Sequence, residues 1–151
     1  MATIISGSSG GTAVTTATQK ILQVVQSVKT DTASVGGGTF ADIGLSASIT
    51  PSSSSSKILV QVQASTGSTV GYSMKTRLMR GSTAIHIGDA AGNRPRASTE
   101  NTGIYASTSN LSSFPVSIIF LDSPSTTSAV TYKVQYASYG TNTVYINRTG
   151  S

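Results

Sequence analysis

The chain has 151 residues, ten Lys/Arg against five Asp/Glu for a formal charge of +5, 37% hydrophobic residues and only 10% charged ones. That length suits one domain, and about a third of it is Ser and Thr. Disordered chains pair low hydrophobicity with high net charge, so this composition argues against disorder; the absence of cysteine excludes disulfides and thiolate metal sites.

The basic residues are scattered, without the stripe and aromatic or helical support that marks a nucleic-acid surface. No apolar run approaches the ~18 residues of a membrane span. Neither a nucleic acid nor a membrane is expected as a partner.

Residues 1–19 are small and polar and read as a flexible arm. They lack the basic and apolar regions of a signal peptide. Ile4, Ile5 and Val14 are their candidate anchoring residues. Residues 20–151 read as one β-sandwich head. Residues 21–28, rich in apolar and β-branched types, predict a strand. Residues 31–38, with Gly36, Gly37 and Gly38, predict a loop. Residues 40–49 predict a second strand, Leu45, Ala47 and Ile49 alternating with Ser46 and Ser48. Pro51 and the run of serines from Ser52 to Ser56 make a turn, since proline cannot donate to a ladder.

Residues 57–64 carry the clearest period of two. Ile58, Val60, Val62 and Ala64 share one face and Lys57, Gln61 and Gln63 the other, with Leu59 as the exception. Residues 70–79 alternate again, with Val70, Tyr72, Met74 and Leu78 together. Arg80-Gly81-Ser82-Thr83 is a turn and residues 84–87 return, a hairpin. Residues 88–101 predict a loop and 104–107 a weak strand. Residues 113–121 predict a strong strand, Phe114, Val116, Ile118 and Phe120 inward, Ile119 and Leu121 apolar outward. A strand apolar on both faces is central or lies against another subunit. Residues 130–139 and 143–147 are the last strands, joined at Gly140-Thr141-Asn142. About nine short strands and no amphipathic helix predict an all-β, jelly-roll-like antiparallel sandwich. The inward set includes Ile58, Val60, Val62, Leu78, Val116, Ile118, Phe120 and Val134.

Few residues offer chemistry. His86 is the only histidine, and a general base needs an orienting carboxylate and a nucleophile. Strand parity puts Asp89 on the opposite face, so His86 reads as a surface or interface residue. Gly88-Asp89-Ala90-Ala91-Gly92-Asn93-Arg94 lacks the ending and the helix of a phosphate loop and reads as structural. The five acids are dispersed, so no enzyme, cofactor or metal is expected. Asp122 beside Arg80 or Arg94 would make an ion pair. Tyr132, Tyr136 and Tyr145 either pack across the sheet or serve recognition, for which tyrosine is well suited. Tyr105, Tyr136 and Tyr139 are the candidate surface-recognition residues.

A series of phrases carries a resemblance. They are Lys20-Ile21-Leu22-Gln23-Val24-Val25-Gln26, then Gly44-Leu45-Ser46-Ala47-Ser48-Ile49-Thr50-Pro51, Lys57-Ile58-Leu59-Val60 and Arg80-Gly81-Ser82-Thr83. The glycine-rich phrase from Gly88 to Arg94 follows, then Leu121-Asp122-Ser123-Pro124, Thr131-Tyr132-Lys133-Val134-Gln135 and Val144-Tyr145-Ile146-Asn147-Arg148. In this order, over about residues 20–148, the chain resembles a module of tail-fibre and other surface proteins of tailed, above all marine, bacteriophages. The resemblance implies a homotrimer with a compact β head, made in the host cytoplasm and displayed on the virion surface. Its partners would be other virion proteins and a host cell-surface glycan or protein. The function implied is host attachment by a short fibre or knob. The alternative is a capsid decoration or cement protein, favoured by the short chain. The chain departs from the module in stopping at Ser151, where the module continues to a last strand: either this member is short or the sequence is incomplete, and a missing strand would leave one sheet an open edge for a neighbour subunit to cover.

Overall fold

The computed structural model describes residues 21–68, 74–101, 112–140 and 142–148. Their regular structure is all strand: β1 Ala33–Gly36, β2 Ala41–Ile49, β3 Ile58–Ser68, β4 Met74–Arg80, β5 Thr83–Ile85, β6 Thr99–Asn101, β7 Ser112–Asp122, β8 Val130–Ser138 and β9 Thr143–Ile146. One sheet has the order β1-β9-β3-β7; the other runs β2-β8-β4-β5, with β6 also on β4. All pairings are antiparallel.

The pairing is nested. β4 pairs with β5 and β6, β3 with β7, β2 with β8 and β1 with β9. β5 covers Leu78–Arg80 of β4 and β6 covers Met74–Thr76, so the two share one strand position. A long hairpin rolled so that its arms alternate between two sheets is the jelly-roll arrangement. Among the described residues the last strand, β9, lies inside its sheet between β1 and β3. The edge strands of that sheet are β1 and β7.

Period-two alternation builds the core. Ile43 from β2, Val62 from β3, Leu78 from β4, Val116 and Ile118 from β7, and Val134 and Tyr136 from β8 meet between the sheets, with Val60 and Phe120 packed against them. Ile58, Val130 and Tyr132 close one end. The expected inward set is therefore inward. The β4–β5 hairpin turns at Gly81, whose φ of +58° suits a residue without a Cβ.

Three expectations are corrected. Residues 21–28 form no strand. Their apolar positions 21, 22, 24, 25 and 28 do not follow a period of two, and all five are exposed. Residues 33–36, expected as loop, are β1, held by its ladder to β9 around the buried Val35. Residues 99–101, also expected as loop, are β6, held by backbone pairing to β4 rather than by apolar content. The weak strand at 104–107 lies outside the described residues.

Candidate functional site

The ends of β4, β7 and β8 converge at one end of the sandwich. Arg80 Nη1 donates to both carboxylate oxygens of Asp122, each at 3.0 Å. Tyr132 OH donates to Asp122 Oδ2 at 2.6 Å. Asp122 belongs to one sheet, and Arg80 and Tyr132 to the other, so the carboxylate ties the two sheets together. It is buried, and its charge is met by the guanidinium and the phenol, the condition for burying a charge. Burial, helped by the hydrogen bond to Asp122 and its negative charge, pushes the Tyr132 phenol well above its ordinary value.

Beside this clamp lies a shallow depression bordered by Ile85, His86, Ala97, Ser98, Phe120 and Asp122. Strand parity fails here. β5 stops at Ile85, and His86 takes a left-handed φ of +53°. Its ring then lies 4.8 Å from that of Phe120, centroid to centroid. Asp122 borders the same depression, but its carboxylate is engaged by Arg80 and Tyr132. It is therefore not disposed to orient the imidazole as a catalytic acid would.

The glycine-rich loop after His86 is stitched to the sheet. Arg96 Nε donates to Gly88 O at 2.6 Å, and Arg77 Nε donates to Arg96 O at 2.6 Å. Ser98 Oγ accepts from Leu78 N at 2.9 Å. The Arg77 guanidinium also lies 3.8 Å from the centre of the Phe40 ring, a cation–π contact. The arginines thus brace a loop. Among the described residues no three His, Asp or Glu side chains cluster as metal ligands would.

The outer faces differ. Across β2 and β8, Lys133 Nζ donates to Asp42 Oδ2 at 2.7 Å and Gln135 Nε2 to Asp42 Oδ1 at 2.8 Å. The hydroxyls of Ser48 and Thr131 share a hydrogen bond of 2.7 Å. Across β3 and β7, Leu59 faces Leu121 and Gln61 faces Ile119. Leu59, Ile119 and Leu121 are 57%, 61% and 58% exposed. A second apolar group lies in residues 21–28, where Ile21, Leu22, Val24, Val25 and Val28 are exposed. That segment leaves the head at Lys29, whose carbonyl accepts from Asn147 Nδ2 at 2.6 Å. Lys29 Nζ sits 3.5 Å from where a Cβ on Gly44 would be, an ordinary contact, so it is the φ of +83° and not the space that favours glycine there.

The expected recognition tyrosines do not form one surface. Tyr136 is 0% exposed; β8 turns Val130, Tyr132, Val134 and Tyr136 inward together, so it is a core residue and no surface-recognition residue. Period two from Val130 was the signal for this. Tyr139, just past β8, is exposed and lies 5.4 Å from Lys75 Nζ. Tyr132 is also inward, while Tyr145 is half-buried beneath the Arg148 guanidinium at 4.5 Å. Tyr105 and the anchoring candidates Ile4, Ile5 and Val14 lie outside the described residues. The ion pair expected for Asp122 is made with Arg80. The exposed apolar face follows from the two-faced strand expected at 113–121. The free segment 21–28 was missed, its one signal being the broken periodicity.

In comparison with known proteins, no family model matches the chain and no curated protein matches it.

Proposed function

We propose that the protein is a non-enzymatic structural component of the outside of a tailed-phage particle. In this reading it is a short fibre or knob that self-associates as a homotrimer. It attaches through residues 1–19 and turns its sandwich toward the host surface. One observation carries the reading. Most of the phrases that resemble fibre modules fall on the strands and turns of the head, while residues 21–26 of the first phrase stand exposed outside it. Arg80, Asp122 and Tyr132, the three partners of the inter-sheet clamp, each belong to one of them, and Gly81 of the hairpin turn belongs to the phrase that holds Arg80. A fold does not by itself imply a function; what supports this one is that the resemblance includes the residues of the clamp and of the hairpin turn. The exposed Leu59, Ile119 and Leu121 support self-association, because clustered apolar side chains on a soluble surface mark contacts.

Antibody against the head, applied to particles of the encoding phage, is expected to label a fibre or the tail. Even labelling of the shell replaces the fibre by capsid decoration, and unlabelled particles overturn the proposal. Deleting residues 2–16 is expected to leave a folded head that no longer joins particles. Full occupancy by the truncated chain would move the attachment to the head itself.

A further inference from the structure

Among the described residues two apolar surfaces are unpartnered, and they lie toward opposite edges of the sandwich. The first is residues 21–28, free of any ladder, with five large apolar side chains 41–86% exposed. It departs at Lys29, beside Gly44 of β2 and Asn147 just after β9. β2 is an edge strand, and β9 neighbours the edge strand β1. The second is the outer face of β3 and β7, where Leu59, Ile119 and Leu121 stand together. β7 is the opposite edge of its sheet. Within one chain neither surface covers the other, since both remain exposed.

We propose that residues 21–28 lie across the outer face of β3 and β7 of a second copy of this chain, with Leu22, Val24 and Val28 on that copy's Leu59, Ile119 and Leu121. In an extended segment, even-numbered residues share a face, so those three side chains point together. Eight extended residues span up to about 28 Å, against about 14 Å for the width of a four-stranded sheet. The segment therefore reaches well beyond its own edge. Donor and acceptor are different surfaces, which makes the contact head-to-tail, and a head-to-tail contact whose rotation closes gives a ring. Opposite edges give each copy one donor and one acceptor, as a closed ring of three requires. The inference deepens the self-association in the proposed function and rests on it.

The absence of cysteine makes the test direct. Two full-length single-cysteine variants, Val24→Cys and Ile119→Cys, are mixed and treated with a short bis-maleimide. A covalent pair joining one variant to the other is expected at low micromolar concentration. The triple variant Leu22→Ser, Val24→Ser, Val28→Ser lies outside the sandwich, so circular dichroism is expected to stay unchanged. Light scattering is expected to fall from the mass of the oligomer to that of one chain, and Leu121→Glu is expected to do the same from the acceptor side. An oligomer that survives the triple variant, with no mixed cross-link, overturns this contact and leaves self-association standing. A wild-type chain that is monomeric overturns both, without touching the location on the particle.

Discussion

The two outer faces of the sandwich are built by the same alternation and end differently. On β2 and β8 the outward side chains satisfy one another: Asp42 holds Lys133 and Gln135, and Ser48 holds Thr131. On β3 and β7 polar pairing continues only part of the way. Gln63 Nε2 donates to Ser117 Oγ at 2.7 Å and Lys57 Nζ to Ser123 Oγ at 2.7 Å, and between them Leu59, Ile119 and Leu121 meet water. A face that closes its own hydrogen bonds needs nothing further. A face that interrupts them with three large apolar side chains keeps a free-energy gain in reserve for contact, about 25 cal/mol per Å² covered.

That contrast depends on an interior held firmly enough for both outer faces to be rigid. The largest expected effect is at the clamp. Asp122→Ala removes the carboxylate that joins the sheets and leaves the Arg80 guanidinium and the Tyr132 phenol without it. Loss of one partner from a fully buried pair costs about 3–5 kcal/mol; with the carboxylate buried but the Arg80 side chain 32% exposed, the lower end of that range is expected, to be read as a lower urea midpoint. A variant as stable as the wild type would mean that the clamp is an exposed pair of no consequence. Next comes the contrast along β7 itself. Ile118 is buried and Ile119, its neighbour, is exposed. Ile118→Ala is expected to cost about 2–5 kcal/mol. In the single chain Ile119→Ala is expected to stay within about 0.5 kcal/mol. Equal costs would erase the distinction between the two faces.

The central strands were legible because their alternation is long. Residues 57–64, 113–121 and 130–139 give four or more inward positions each, enough to set face and register. β6 was not legible: Thr99, Glu100 and Asn101 hold no apolar side chain, and only a distant backbone ladder makes them a strand. β1 offers one buried side chain, Val35, followed by glycines that read as loop. The clamp joins residues 42 apart; the pairing of Asp122 with Arg80 was one of two expected, and the addition of Tyr132, read only as a strand residue, was not legible. His86 escaped for a local reason, since parity cannot anticipate a left-handed residue. Tyr136 and Tyr139 show what the residue type hides: three positions apart, one is core and the other surface.

The buried tyrosines give a third, smaller expectation. Burial pushes the Tyr136 phenol well above its ordinary value of 10.0, and the Thr76 hydroxyl beside it offsets part of the shift. Tyr132 is raised as well. In the unfolded chain both phenols ionise near pH 10; in the folded chain they keep their protons. Their contribution is complete below about pH 10 and is lost as pH rises from there toward their folded values. The urea midpoint is expected to decline above pH 10, and Tyr136→Phe is expected to flatten the decline. A slope unchanged by that substitution would mean that the phenol is not the group being titrated.

The smallest effect is on the self-satisfied outer face, and its size is what sharpens the comparison. The hydrogen bond from Lys133, then that from Gln135, holds the Asp42 carboxyl below its ordinary value. The site is largely open to water, with the Asp42 side chain 50% exposed, so solvent screens the pair. Exposed pairs of this kind contribute about 0.2–1 kcal/mol. A carboxylate whose folded value is depressed adds stability above its unfolded value and loses it as pH falls through the folded one. Asp42→Asn is therefore expected to lower the urea midpoint slightly at pH 7 and to leave it equal to the wild type under strong acid. High salt is expected to shrink the difference at pH 7. The same substitution should leave the proposed oligomer intact, because this face already meets its own needs. If Asp42→Asn dissociated the oligomer while Leu121→Glu did not, the roles of the two faces would be reversed, and the contact surface would be the polar one.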